Sequence, residues 1–544
     1  MTRREALLSA ALVFAVALVV RAATASLIVF PKPEDTAYYV GVARNLVEGR
    51  GLVSDALWSY ATPPLTVPRP AFEVWLPLPT FLAAIPMALL GPSFAAAQVS
   101  SVLIGAIVPV LAWRLAADVA DERGLSLERA RTLALGTGLT AAIYLPLVLH
   151  SALPDSTMPF AALGLGACLL MERIARDPGG ARPADARLII LGVLLGLAAW
   201  TRNEAAWLAV AWIVVAWTAP GTTAVQRVRL IGVVAIVAAA VFAPWAIRDW
   251  REFGSPFPGQ ALTNALSVTG FDIFAWADPP TLGRYLAVGP ARLLEMRIEG
   301  TLHNLFNVLL FLGIPVGIIG LLALPWFGRA RALRPLLIVG VLTFAVTSLV
   351  FPVATTWGTF LHAAGPFHVL LVISCLLATD AAIERLGRWR GWTKPVAWLG
   401  AALTVFGGLL FTVALLPSFG GGSRETRDQY VALEAQMAAA GVPLESLGAV
   451  ITDFPIWLAE ATRTPALGLP DEPPADVAEL ARFFGAGALV IQSTADAPHG
   501  RWPAVLDTAA PGSECFQEVP LPRPSDPQLD RALGETRVFR FVCP

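Results

Sequence analysis

Carboxylates stand at two places where long apolar stretches end. Directly after the first stretch runs Pro33-Glu34-Asp35-Thr36-Ala37-Tyr38-Tyr39, and a later break carries His150-Ser151-Ala152-Leu153-Pro154-Asp155-Ser156-Thr157. An ionised carboxylate at a membrane mouth can take the proton of an acceptor hydroxyl while a lipid-borne substrate lies beside it. Asp35, with Glu34 adjoining, is the candidate base. Asp155 is the second carboxylate, placed to orient the acceptor or a cation. Each also has a plainer reading as a helix cap, because Asp ahead of an amphipathic run marks an N-terminus. Tyr38 and Tyr39 would face the same substrate.

An anionic lipid phosphate needs cations at the same depth, and the guanidinium fork suits phosphate oxygens. Arg202 in Thr201-Arg202-Asn203-Glu204 and Arg248 after Pro244-Trp245 are candidates, with Asn203 and Glu204 facing substrate beside Arg202. Arg21, inside the first apolar run, is a third and requires partners at mid-depth. Internal pairing competes in each case: Arg202 with Glu204, and Arg248 within a charged run containing Asp249, Arg251 and Glu252. His362 could bond a phosphate or a sugar hydroxyl, or serve as a packed histidine. Five histidines without a dense cluster speak against a zinc cage. The site is expected to be metal-free, with a divalent cation shared by Glu34 and Asp35 as the alternative.

These residues require a membrane scaffold, and the composition supplies one. Of 544 residues, 56% are hydrophobic and 15% charged, with mean hydropathy +0.65. A net charge of -1 and the lack of a basic tract give nucleic acid no electrostatic footing. The first run lasts to about Phe30 without a persuasive cleavage site, so it reads as a retained span.

Positively charged short loops stay cytoplasmic. Clusters at Arg3–Arg4, Arg123–Arg131, Arg173–Arg187 (including Arg182), Arg227–Arg229, Arg329–Arg334 and Arg385–Lys394 are therefore assigned inside. Threading between them predicts about eleven spans: 5–30, 95–117, 131–150, 157–172, 187–200, 204–219, 229–248, 301–324, 335–352, 361–380 and 395–416. The N-terminus is then inside and the C-terminus outside. The stretch from Trp75 to Leu90, interrupted by Pro77, Pro79 and Pro86, is assigned to the outer interface.

Two long outer segments, 31–74 and 249–300, read as ordered and substrate-facing. The membrane domain is expected over 1–416, a Gly-rich linker over 417–423 and an extracytoplasmic α/β domain over 424–544. In that last domain helical patterns at 424–440 and 474–485 alternate with strands at 448–453, 487–492, 516–520 and 537–542. Cys168 and Cys375 fall within spans. Cys515 and Cys543 could bridge in an oxidising compartment, a closure worth about 3 kcal/mol.

Several segments together resemble the C-type (GT-C) glycosyltransferase superfamily, through bacterial relatives of protein O-mannosyltransferases and of the lipid A aminoarabinose transferase. They are Glu34-Asp35-Thr36-Ala37-Tyr38-Tyr39 with Ala43-Arg44-Asn45-Leu46, Pro154-Asp155-Ser156-Thr157, Trp200-Thr201-Arg202-Asn203-Glu204, Pro244-Trp245-Ala246-Ile247-Arg248-Asp249 and the Gly358 to Pro366 run. The resemblance implies an inverting enzyme of the bacterial inner membrane. It would move a monosaccharide from a polyprenyl-phosphate donor to a lipid, glycan or protein acceptor on the outer face, among membrane lipids. Asp35 matches the first-loop catalytic acid. The pair here is Glu-Asp where relatives have Asp-Glu, and Trp357 stands where many carry arginine. A multi-span transporter is the alternative, disfavoured because charge gathers at the outer mouths and no repeat is evident; a non-catalytic scaffold would make the loop carboxylates dispensable.

Overall fold

A computed structural model describes residues 2–177, 185–392, 396–492 and 508–544; Arg182 and Lys394 lie outside the described residues. The membrane part begins with α1 (Arg3–Leu27), α2 (Glu34–Val47), α3 (Leu78–Leu90), α4 (Phe94–Glu122), α5 (Leu127–Ile143) and α6 (Leu145–Ser151). It continues through α7 (Thr157–Arg176), α8 (Ala186–Ala199), α9 (Ala205–Trp217) and α10 (Ala224–Phe253). The second outer segment holds α11 (Ala261–Leu266), α12 (Leu282–Ala287) and α13 (Gly289–Leu302). Then follow α14 (Val316–Phe327), α15 (Arg334–Leu349), the short α16 (Thr359–Ala363), α17 (Gly365–Arg390) and α18 (Ala397–Ala439).

Among the described residues seven helices are long and apolar enough to cross a membrane, or nine if each of two bent pairs counts as one span. The expected eleven correspond to these together with α8 and α9, which at 14 and 13 residues are too short for straight crossings. Large side chains such as Leu8, Ile236 and Leu410 remain exposed on α1, α10 and α18, as lipid-facing surfaces require.

Both bends have local causes. Pro146 lacks the N–H that would bond the Ala142 carbonyl, so α5 and α6 part at 53°. Arg21 takes up the freed groups: Nη1 donates to the Ala142 carbonyl at 2.8 Å, and Nε donates to Ser151 Oγ at 2.9 Å. The Ile143 carbonyl accepts from Thr412 Oγ1 at 2.7 Å. Arg21 is thus a buried brace of the bend and not a phosphate contact. The second bend corrects the straight span expected at 301–324. There α13 continues as a π-helix over His303–Phe311 and turns 112° into α14. A Cβ at Gly313 would lie 2.4 Å from both the Leu309 carbonyl and the Tyr144 hydroxyl, so this turn is built on close backbone approach that hydropathy alone does not register.

The linker expected at 417–423 is also absent: α18 runs unbroken for 43 residues through Gly420-Gly421-Gly422. Each glycine costs a helix about 1 kcal/mol, and tertiary contacts outweigh that. Ser423 Oγ accepts from Val29 N at 3.0 Å and Phe30 N at 2.8 Å, and a Cβ at Gly420 would lie 3.1 Å from the Leu27 carbonyl. The glycines let the end of α1 lie against α18.

Beyond the membrane part stand a two-stranded ladder of β1 (Val53–Ser54) and β3 (Arg69–Pro70), and one larger sheet. The larger sheet comprises β2 (Ala56–Leu57), β4 (Ala449–Thr452), β5 (Ala466–Gly468), β6 (Ala486–Ile491), β7 (Phe516–Val519) and β8 (Arg537–Phe541), in the order β2-β5-β4-β6-β8-β7. Helices α19 (Pro455–Thr462) and α20 (Pro474–Phe484) connect its parallel strands. The edge strand β2 comes from the 31–74 segment and pairs in parallel with β5, so the sheet domain is completed by residues 56–57. The second outer segment docks on it too, since Glu472 accepts the backbone N–H groups of Trp276, Ala277 and Asp278 at 2.9 to 3.0 Å. Cys515 and Cys543 are bridged.

Candidate active site

The first turn of α2 follows Pro33, the N-cap, whose backbone is extended. Glu34 and Asp35 occupy that turn, where the positive end of the helix dipole favours carboxylates. Asp35 Oδ1 accepts from the Thr36 N–H at 2.9 Å. Its other oxygen, Oδ2, lies 2.9 Å from His362 Nε2. The cap reading is not met, since Pro33 is the N-cap and carries no side-chain cap bond; one Asp35 oxygen meets a neighbouring N–H and the other meets His362. Glu34, one residue earlier on the helix, points elsewhere, and its charge acts on Tyr430 of α18, on the outer-domain side.

His362 comes from α16, more than three hundred residues away in sequence. Its Nδ1 lies 2.9 Å from Thr157 Oγ1 and 3.5 Å from Asp155 Oδ2. Asp155 repeats the division of labour: Oδ1 accepts the Thr157 N–H at 2.7 Å at the start of α7, while Oδ2 lies 3.1 Å from His150 Nδ1. The result is a chain Asp35, His362, Asp155, His150 linking three segments distant in sequence. Burial alone would lower the His362 imidazole, but Asp35 and Asp155 lift it to about 10. Burial alone would raise the Asp155 carboxyl, and the two histidines outweigh it and hold it below the usual carboxylate range.

Arg202 forms the wall next to this chain. It makes a two-pronged pair with Glu204, Nε to Oε2 at 3.0 Å and Nη2 to Oε1 at 2.9 Å. It also donates through Nη1 to Ser156 Oγ at 2.9 Å and through Nη2 to the Thr359 carbonyl at 3.1 Å. Those last two contacts hold together the segments that carry Asp155 and His362. Tyr39 faces the same group: its phenol lies near Ser156 and feels the charges of Asp35 and Arg202. Asn203 is exposed in the same turn.

Tyr38 and Arg248 lie elsewhere. The Tyr38 hydroxyl accepts from the Phe72 N–H at 2.6 Å, and its ring packs on Phe72 and Trp75. Successive residues of α2 face different directions, so Tyr38 enters the aromatic core while Tyr39 reaches the carboxylates. Arg248 pairs with Asp249 at 3.0 Å and lies over the Trp245 and Phe253 rings, 4.9 and 5.2 Å from their centroids.

His150, Ser156 and Thr157 are the site residues that sequence reasoning missed. All three lie in the quoted 150–157 segment, but only the approach of α16 reveals their use. His150, Asp155 and His362 each present a ligand atom within 4.8 Å of the others, which corrects the expectation that no metal-ligating cluster exists. Two imidazoles and a carboxylate form a set that zinc accepts.

No protein-family model matches the sequence, and no characterised protein matches it by sequence. Solved structures do match. ArnT from Cupriavidus metallidurans bound to undecaprenyl phosphate aligns over 98% of this chain and 98% of its own, with TM-score 0.57 and 15% identity. The apo form of that ArnT aligns over 98% and 97%, with TM-score 0.53 and 16% identity. At such identity the likeness is one of architecture: a polytopic helical membrane domain with a small sheet domain, in the C-type glycosyltransferase fold that ArnT carries.

Proposed function

We propose that this chain is an inverting glycosyltransferase moving a monosaccharide from a polyprenyl-phosphate donor to a hydroxyl or amine of a lipid, glycan or protein acceptor. The observation that carries the reading is the Asp35–His362 contact of 2.9 Å. A carboxylate beside an imidazole, in the segment that follows α1, supports a base paired with a cation. That the fold is shared with an ArnT bound to undecaprenyl phosphate supports a lipid-phosphate donor.

Each oxygen of a carboxylate can accept more than one hydrogen bond, so Asp35 retains lone pairs for an acceptor proton. The acceptor oxygen forms its bond to the anomeric carbon as the carbon–oxygen bond to phosphate breaks. The electron pair stays on the phosphate oxygen and the acceptor proton passes to Asp35. One in-line displacement inverts the anomeric centre. His362, charged through its two carboxylate neighbours, is the fixed cation nearest the base and stabilises the gathering phosphate charge. Arg202 and Tyr39 hold the frame, and Asp155 sets the His362 ring through its orientation and charge.

A second reading rests on the ligand cluster. A divalent cation held by His150, Asp155 and His362 would replace the His362 proton and supply the same positive charge to the leaving phosphate. In either case the site faces outward. The arginine clusters support that sidedness, as does the Cys515–Cys543 bridge, which suits an oxidising compartment.

The test is an assay of purified protein in lipid nanodiscs with a panel of polyprenyl-phosphate sugars, with and without chelator. The reading expects acceptor-dependent release of polyprenyl phosphate and a product of inverted configuration. Release that survives chelation removes the cation. A panel that yields no release removes the transferase.

A further inference from the structure

His362 is presented by a very short element. Helix α16 is five residues long, and so short a helix does not hold its own orientation. Yet the His362 ring reaches Asp35 and Thr157, on two other elements, at 2.9 Å each. The support comes from the residues before it, a 3₁₀ turn over Ala354–Trp357. The Gly358 N–H donates to the Thr355 carbonyl and the His362 N–H to the Gly358 carbonyl, both at 3.0 Å. Thr359 Oγ1 donates to the Ala354 carbonyl at 3.0 Å. Turn and helix are thereby bonded into one unit.

Two side chains from elsewhere hold that unit. Arg202 grips it at the Thr359 carbonyl. Asn304, on the π-helix that follows α13, grips it at Thr355: Asn304 Oδ1 accepts from Thr355 Oγ1 at 2.8 Å. The same amide donates through Nδ2 to Ser348 Oγ at 2.9 Å and to Thr347 Oγ1 at 3.3 Å, at the end of α15. Thr347 Oγ1 in turn donates to the Thr343 carbonyl at 2.8 Å. One end of the amide is thus anchored on α15 and the other fixes the turn. Asn304 and Thr355 are each fully buried, and a buried amide in an apolar run is costly unless partnered. An apolar side chain would pack there without that cost, but only a polar network sets where the Thr355 hydroxyl lies. Two backbone features bring Asn304 to its place. A Cβ at Gly300 would lie 2.7 Å from the Pro352 carbonyl oxygen, so glycine alone lets α13 come this close. The π-winding starts one residue before Asn304, and such winding concentrates at functional sites.

We propose that Asn304 is a positioning residue of the transfer site, fixing through Thr355 the turn from which His362 faces Asp35. The inference rests on the glycosyltransferase reading for what His362 does and adds how its ring is held. Fully buried, Asn304 meets no substrate itself. Its effect runs through geometry, because a reacting group displaced by about 1 Å costs up to about a hundredfold in rate. Losing the Thr355 tie leaves the Thr359 tie as a pivot, so the ring loses its aim while the surrounding helices keep their packing.

The experiment uses the full chain in nanodiscs. Thr355→Val keeps the shape of the side chain and removes the hydroxyl, whereas Thr355→Ser keeps the hydroxyl. Thr355→Val is expected to lower kcat at least about tenfold with the donor KM within about twofold, and Thr355→Ser to restore kcat. Thr356→Val, the same change at the exposed neighbour whose hydroxyl donates to the Val353 carbonyl, should leave both constants unchanged. Thr355→Ala, which makes no new contact, carries the same expectation as Thr355→Val should the latter fail to insert. A second readout needs no donor: solid-state NMR of histidine-labelled protein should show the His362 ring signals shifted or broadened by Thr355→Val and unmoved by Thr356→Val. Either full kcat or unmoved ring signals in a folded Thr355→Val variant overturns the proposal, as does a loss that Thr355→Ser does not rescue or that Thr356→Val shares. Because the ring signals are read without substrate, the positioning role can stand or fall separately from the transfer reaction.

Discussion

Replacing Arg202 with alanine removes four hydrogen bonds and leaves Glu204 buried beside empty space. The two side chains are 12% and 10% exposed, so the loss is that of a buried, broken pair, about 3–5 kcal/mol. Converting both partners to neutral side chains, Arg202→Gln with Glu204→Gln, removes the stranded charge, and such replacements cost far less than breaking a pair. The double variant should therefore recover most of the stability lost by Arg202→Ala. The same comparison in transfer rate separates two roles. If Arg202 holds the Ser156 and Thr359 segments in place, activity returns with stability to within about tenfold, since one neutral hydrogen bond is worth about 1 kcal/mol. If Arg202 is the phosphate cation, the double variant folds and remains inactive toward donor. Melting in nanodiscs and donor-dependent turnover, measured on the single and double variants, decide between them. A double variant that is stable but inactive refutes the positioning role.

Glu460 gives a pH signature. Burial, against the pull of Arg44, raises its carboxyl from 4.5 to about 7. Between those values the folded protein keeps a proton that the unfolded chain releases, so stability falls as pH rises through that window, by about 3 kcal/mol in all. Thermal melting from pH 4.5 to 7.5 should show this slope, and Glu460→Gln should flatten it; an equal slope in the variant contradicts the assignment. For sidedness, Ser423 is buried against Val29 and Phe30, so the informative probe is the exposed neighbour Arg424. An Arg424→Cys variant should react with a membrane-impermeant thiol reagent on intact cells, and labelling only after lysis would place the outer domain inside.

The sequence displayed what local chemistry determines. Apolar runs gave the helices, and alternating patterns gave the strands β4, β6, β7 and β8 within a residue or two. Asp35 and Asp155 were visible because each sits in the first turn of a helix or just before one. What escaped depends on distant contacts. His150 has no meaning until His362 arrives, and β2 is two residues long, a strand only because β5 lies beside it. The Gly420-Gly421-Gly422 run reads as a flexible joint to any local rule, yet the closeness of α1 makes it helix. At Gly313 and Pro315 the breakers were in plain view, and the apolar run around them concealed the turn. Tyr38 and Tyr39 could not be told apart until the orientation of α2 sent one to the core and the other to Ser156.

The decisive measurement is donor-dependent release of polyprenyl phosphate by Asp35→Asn beside the unaltered protein, with melting temperature recorded for both. Asparagine keeps the size of the side chain and an oxygen for the Thr36 N–H but cannot hold a transferred proton. The account predicts release reduced by at least about a hundredfold, the lower range for general-base catalysis, in a protein that still inserts and folds. Release at the unaltered rate from a folded Asp35→Asn variant would contradict it.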